Sequence, residues 1–146
     1  RPGTLPVPLI VGFATAAELA LRDQDRRMQR LQQWRDRLWM GLRTALPDLL
    51  CNGSLEQRLA HNLNITIPGV SGSRLHQHLR RHVLCSSGSA CSRGEPSHVL
   101  MALGRSRQEA EASLRLSLGW ATTDHDIDVA IAAIAETVTT LRASGL

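Results

Sequence analysis

The chain reads as an α+β domain in which a small mixed or antiparallel sheet packs against helices, with one long helix at the N-terminal end. Three observations lead there. Apolar residues recur at helical spacing through most of the first 45 positions, short alternating runs at 61–67 and 114–118 carry strand periodicity, and the stripe Ile127, Ile131, Ile134, Val138 and Leu141 returns to a helical repeat. The order is helix, strand, strand, helix, strand, loop, helix, strand, helix, which implies no doubly wound parallel sheet.

Residues 1–8 hold three Pro and one Gly and read as an extended lead-in, with 9–146 as a single domain. From Leu9 onward, Ile10, Ala14, Ala17 and Leu21, then Met28, Leu31, Trp34 or Arg35, Leu38, Leu42 and Ala45, predict one long helix, or two with a break near 22–25, ending before Pro47. Its polar face carries Arg26, Arg27, Arg30, Arg35, Arg37 and Arg43, with Asp23, Asp25 and Asp36 among them. Leu49 to Asn52 is a short strand running into a turn at Gly53. Leu63, Ile65 and Ile67 alternate with Asn62, Asn64 and Thr66, the pattern of a half-buried strand, and Pro68-Gly69 ends it.

Ser71 caps a helix running to about Arg81, with Leu75 and Leu79 on its inner side. Val83-Leu84-Cys85 is then a strand that delivers a loop of small residues extending to His98. Pro96 falls in the first turn of the next helix, where a missing amide proton costs nothing, and Gly104 closes it. Residues 106–112 form a short polar helix or turn, and the following strand sets Leu114, Leu116 and Leu118 opposite Arg115 and Ser117. Thr122 or Thr123 caps the last helix, with Asp124 and Asp126 in its first turn.

With 42% hydrophobic and 21% charged residues over 146 positions, this is an ordinary globular composition. A net charge of +4 could serve nucleic acid, but no aromatic stacking set, zinc motif or recognition helix accompanies it, so the basic face reads as solvated. No apolar run reaches the ~20 residues of a membrane span and no signal pattern opens the chain, which leads us to expect a cytoplasmic protein. Three Cys without repeated spacing make no disulfide framework and suit a reducing compartment. His78 and His82 share a helical face, but no acid lies between them and Arg80 and Arg81 repel a cation, so no metal site is expected.

Chemistry concentrates at a few positions. Cys91 lies in the small-residue loop, and the nearby Arg93 favours its thiolate; Cys51 and Cys85 read as structural. Arg115 projects from a strand among apolar neighbours and needs an anion, either a ligand carboxylate or an acid such as Glu109 or Glu111. The Thr4 hydroxyl and nearby amides could hold a phosphate or simply form a turn. The chain contains no Lys, so all 17 basic side chains are Arg.

Four segments carry a family resemblance. They are Arg1-Pro2-Gly3-Thr4-Leu5-Pro6 with Ile10-Val11-Gly12; Leu63-Asn64-Ile65-Thr66; Ser86-Ser87-Gly88-Ser89-Ala90-Cys91 with Glu95-Pro96-Ser97 and Ala102-Leu103-Gly104; and Ser113 to Gly119 with Thr122-Thr123 and Asp126-Ile127-Asp128. In this order, across nearly the whole chain, they resemble the NifS/IscS-like cysteine desulfurases, pyridoxal phosphate (PLP) enzymes of the class V aminotransferase superfamily. The resemblance implies the small C-terminal domain of a fold type I PLP enzyme. In the complete homodimer, Cys91 would take sulfur from L-cysteine as a persulfide, giving alanine, and pass it to an iron-sulfur scaffold or another acceptor. Arg115 would bind the substrate carboxylate, and Thr4 would reach the PLP phosphate bound in the other subunit.

A PLP enzyme holds its cofactor on a Lys amine, and Arg cannot replace it. We therefore expect the large PLP-binding domain to be missing and this chain alone to bind no cofactor and be inactive. One departure stands out: only Ser92-Arg93-Gly94 separates Cys91 from Glu95, fewer residues than in long-loop members, which points to a shorter reach or a different acceptor. The alternative is a non-catalytic stand-alone module for persulfide relay or scaffold docking.

Overall fold

The computed structural model describes residues 3–86 and 95–145. Helix α1 (Val7–Ala45) runs unbroken through 22–25 and begins two residues earlier than the pattern suggests, because a Pro in its first turn needs no amide partner. At about 58 Å it is longer than the core it serves. Leu31, Trp34, Leu38, Trp39 and Leu42 are buried, whereas Val7, Leu9, Ile10, Phe13 and Leu21 are exposed, Phe13 at 78%. The stripe through Ile10, Ala14, Ala17 and Leu21 thus gives a helix without giving it a core. Arg35, offered both on the apolar stripe as the alternative to Trp34 and on the polar face by its charge, is buried, as is Trp34. Its Nε and Nη2 donate to Asp36 Oδ1 at 2.9 and 2.6 Å.

Strands β1 (Leu50–Cys51), β2 (Asn62–Thr66) and β3 (Ser113–Ser117) form an antiparallel sheet in the order β1-β2-β3. The register sets Leu63 opposite Leu116 and Ile65 opposite Leu114, four leucines and isoleucines of the core. Helices α1, α2 (Gly72–Leu79) and α5 (Asp124–Ala143) supply most of the rest, α5 through Ile127, Ile134, Val138 and Leu141, and the connections add Leu46, Leu49, Ile67 and Val70. The apolar alternation of β2 and β3 therefore became burial, and the sheet with its long helix is the α+β arrangement expected.

Three local expectations need correction. Val83 to Cys85 forms no strand; the extended pairing is a single antiparallel bridge between Ser86 and Arg115. The amides of His82 and Val83 are still held by the Leu79 carbonyl at 2.8 Å, so the end of α2 delays the extended conformation. Pro96 lies outside α3 (His98–Ala102), since Ser97 is its N-cap and accepts the Leu100 amide at 3.4 Å. Thr66, on the face read as half-buried, is completely enclosed.

The helix ends follow local chemistry. Gly104 stops α3 at φ +86°, a conformation that a side chain disfavours. Capping boxes, Ser106 with Glu109 and Thr123 with Asp126, open α4 (Arg107–Glu111) and α5. At Gly72 the first turn of α2 meets α4 so closely that a Cβ would lie 1.7 Å from the Glu111 carbonyl oxygen. Gly72→Ala must push backbone apart, and we expect it to cost at least about 2 kcal/mol in urea unfolding. An unshifted midpoint would contradict this packing.

Candidate functional site

Arg115 occupies the middle of β3, where buried Leu114 and Leu116 hold the strand and force the intervening side chain to the opposite, exposed face. Its amide donates to the Ser86 carbonyl at 2.6 Å, and its carbonyl accepts the Ser86 amide at 3.1 Å. Because both polar groups of Arg115 turn toward Ser86, its pairing with Asn64 on β2 is of the non-hydrogen-bonded kind, which brings the two side chains close on one face. Arg115 is thus flanked by Asn64 on one side and Ser86 on the other.

The acids that could have neutralised Arg115 are engaged elsewhere. Glu109 accepts the Ser106 amide at 2.8 Å and lies 3.8 Å from Arg105, while Glu111 takes Arg107 at 3.0 Å. The Ser106 amide and then its hydroxyl hold the Glu109 carboxyl below its ordinary value. Among the described residues Arg115 has no ion pair. The guanidinium is therefore available to a planar anion from outside.

On the same face of the sheet lies a polar network that periodicity did not reveal. Asn52 is 4% exposed, and its Nδ2 donates to Asn64 Oδ1 at 2.7 Å and Thr66 Oγ1 at 2.9 Å. Thr66 and Ser113 hydroxyls meet at 2.7 Å, and Arg105 Nε reaches Asn52 Oδ1 at 2.6 Å. Arg58 also bonds the Asn52 carbonyl. The only sequence signal was polar residues at strand ends, which a turn explains equally well.

Of the other predicted positions, Cys91 and Arg93 lie outside the described residues. Cys85 is half-buried against the core with Sγ 3.7 Å from His76 Nδ1, and burial pushes its thiol up, which suits a structural role. Glu95 pairs with Arg107 at 3.1 Å. Thr4 is exposed and stands before α1, about 36 Å along the helix from Leu31, where core contact begins, so Thr4 and Arg115 are not brought together. His78 and His82 are exposed, and no metal-holding group of three His, Cys, Asp or Glu occurs among the described residues. A cleft of about 770 Å³ opens at the end of β3, lined by Arg26, Arg30, Trp34, His61, Leu118 and Trp120 among others. No helix among the described residues is long and apolar enough to cross a membrane.

The chain belongs to the aminotransferase class-V family, whose profile matches residues 1–129. Within that family it is similar to cysteine desulfurases IscS, with 43% identity to that of Histophilus somni strain 2336 and 42% to that of Methylococcus capsulatus. Each alignment covers 97% of this chain and 35% of the relative, so the chain spans about a third of the length of these proteins. Among solved structures, a NifS-like protein superposes with a TM-score of 0.80 at 28% identity, covering 97% of this chain and 36% of that one. The NifS-like protein of Rickettsia africae gives 0.76 at 27%, covering 94% and 36%. With no Lys in the chain, its residues do not by themselves make a PLP Schiff-base site.

Two outcomes follow from the polar interior. Asn52→Ala removes one hydrogen-bond partner each from Thr66, Ser113 and Arg105 in a buried network and should cost about 2 kcal/mol in urea unfolding; a neutral result would deny the network its role. His76 Nε2 is enclosed without a hydrogen-bond partner, and burial pushes the imidazole below its ordinary value, opposed by the Ser113 backbone. Because the unfolded chain then binds the proton more readily, the contribution of His76 is full above about pH 6.5 and is lost as pH falls toward the depressed folded value. Comparing unfolding midpoints from pH 7.5 down to pH 5, the acid-side decline should be shallower in His76→Phe than in the parent.

Proposed function

We propose that the complete protein is a PLP-dependent cysteine desulfurase and that this chain contributes its sulfur-carrying thiol and its carboxylate clamp. The observation that carries the reading is Arg115 in mid-strand, without an ion pair among the described residues and hydrogen-bonded through its backbone to Ser86, a residue shortly before Cys91. A guanidinium on a rigid strand binds a carboxylate in two parallel hydrogen bonds and so fixes the rest of an amino acid in space. Cys91, as thiolate, receives the sulfur of L-cysteine as a persulfide, and alanine is the other product. PLP, when bound, supplies the electron sink for bond cleavage next to the amino group.

Family membership and the 43% identity to an IscS support this class of activity. Thr4 would meet the PLP phosphate held in the other subunit of a homodimer, consistent with its distance from Arg115. An iron-sulfur scaffold or another thiol protein would accept the sulfur, in a reducing cytoplasm that keeps the Cys thiols free. The chain alone, lacking the amine, is inactive.

The test uses the complete protein with radiolabelled L-cysteine. Cys91→Ser should abolish protein-bound persulfide, and Arg115→Gln should raise KM for L-cysteine by roughly tenfold to a hundredfold, the loss of a charge-assisted contact. Iodoacetamide should alkylate Cys91 equally fast in Arg115→Gln, which separates a substrate contact from a disturbed fold. An unchanged KM in Arg115→Gln would sink the clamp, and persulfide on Cys91→Ser would sink the carrier.

A further inference from the structure

From residue 57 to 94 the sequence contains no Asp or Glu, but it contains Arg58, Arg74, Arg80, Arg81 and Arg93 together with four His. Helix α2 and the turn after it present much of this charge on one side. Gly72, Leu75 and Leu79 are buried, whereas Arg74, His78, Arg80, Arg81 and His82 are exposed. Elsewhere Arg22, Arg27, Arg35, Arg37, Arg105, Arg107 and Arg142 each find a carboxylate; among the described residues Arg74, Arg80 and Arg81 find none, nor do Arg26, Arg30 and Arg43 on α1, but only around α2 does the sequence itself hold no acid over so long a stretch. The helix dipole accounts for cations in the last turn, at Arg80 and Arg81. It does not account for Arg74, in the first turn, where a cation is disfavoured, nor for the lack of any acid across the segment.

The patch is mechanically continuous with the site. The Val83 amide is held by the Leu79 carbonyl at 2.8 Å, and three residues later Ser86 is tied to Arg115. A partner seated on these cations would therefore be held beside the root of the segment that carries the thiol. We propose that the exposed side of α2 with its following turn is a docking surface for an acidic protein that accepts the sulfur, an inference that rests on the desulfurase reading above. The complementary charge draws the acceptor in and orients it, which is what unpaired surface cations do best. In the transfer, the acceptor thiolate attacks the outer sulfur of the Cys91 persulfide. One sulfur-sulfur bond forms as another breaks, and Cys91 leaves as thiolate, so no oxidant is consumed. An acidic protein fits better than nucleic acid because residues 57–94 contain no Phe, Tyr or Trp on which bases could stack.

The test compares the complete protein with its R74E/R80E/R81E and R26E/R30E variants, using a fluorescein-labelled oligoglutamate peptide and fluorescence anisotropy. The parent should bind the peptide in about 50 mM NaCl and lose about tenfold in affinity at about 300 mM. R74E/R80E/R81E should bind at least about tenfold more weakly than the parent, while R26E/R30E should bind like it. Equal binding by the parent and R74E/R80E/R81E, or an equal loss in both variants, would overturn the proposal. Tighter binding of a thymidine oligonucleotide of equal charge would give the patch to nucleic acid and overturn it as well. With a Cys-containing oligoglutamate peptide as acceptor, sulfur transfer should fall about tenfold in R74E/R80E/R81E while sulfide release to dithiothreitol is unchanged. If the parent releases no sulfide to dithiothreitol, the desulfurase reading fails, and the anisotropy result still decides whether the surface takes an acidic partner.

Discussion

Two backbone hydrogen bonds between Ser86 and Arg115 join the stretch that precedes Cys91 to a strand fixed in the sheet. Arg115 owes its position to Leu114 and Leu116, which cannot leave the core without a cost of about 1.5–3 kcal/mol each. Ser86 pairs with the edge of β3 through those two bonds, after Leu84, which is 94% exposed, and Cys85, which is half-buried. The positions of Arg115 and Ser86 are therefore one constraint, stiffened by Asn52, Thr66 and Ser113, which tie all three strands together.

The molecule is unevenly built around that constraint. Its core gathers the C-terminal part of α1, one face of the sheet, α2 and α5, whereas the first half of α1 extends away with Leu9, Val11, Phe13 and Leu21 in solvent. An isolated helix gains too little from its own hydrogen bonds to justify such a run of exposed apolar residues. Exposed apolar surface on this scale is the usual mark of an interface. The charge is equally uneven: Asp23, Asp36, Asp124 and Asp128 neutralise guanidinium groups along α1, while residues 57–94, which include α2, contain no Asp or Glu.

Periodicity was a good guide wherever side chains alternate between two simple environments. It located α1, α2, α5 and all three strands, and it separated Arg115 and Ser117 from the leucines of β3. It failed where one position answers to several neighbours at once. Thr66 is enclosed because Asn52 and Ser113 satisfy its hydroxyl. Val83 to Cys85 has β-strand residues but follows a helix that has not finished.

The order of residue types by itself determined the helical and extended segments, the cationic bias of 57–94, the lack of any amine for a Schiff base, and the motifs that mark the family, because all of these are properties of neighbours along the chain. Only the tertiary structure decided which acids are spent on other guanidinium groups, that Asn64 and Ser86 flank Arg115, and that half of α1 has nothing to pack on. Those are relations between residues dozens of positions apart, and they exist only once strand register and helix packing have brought the partners together.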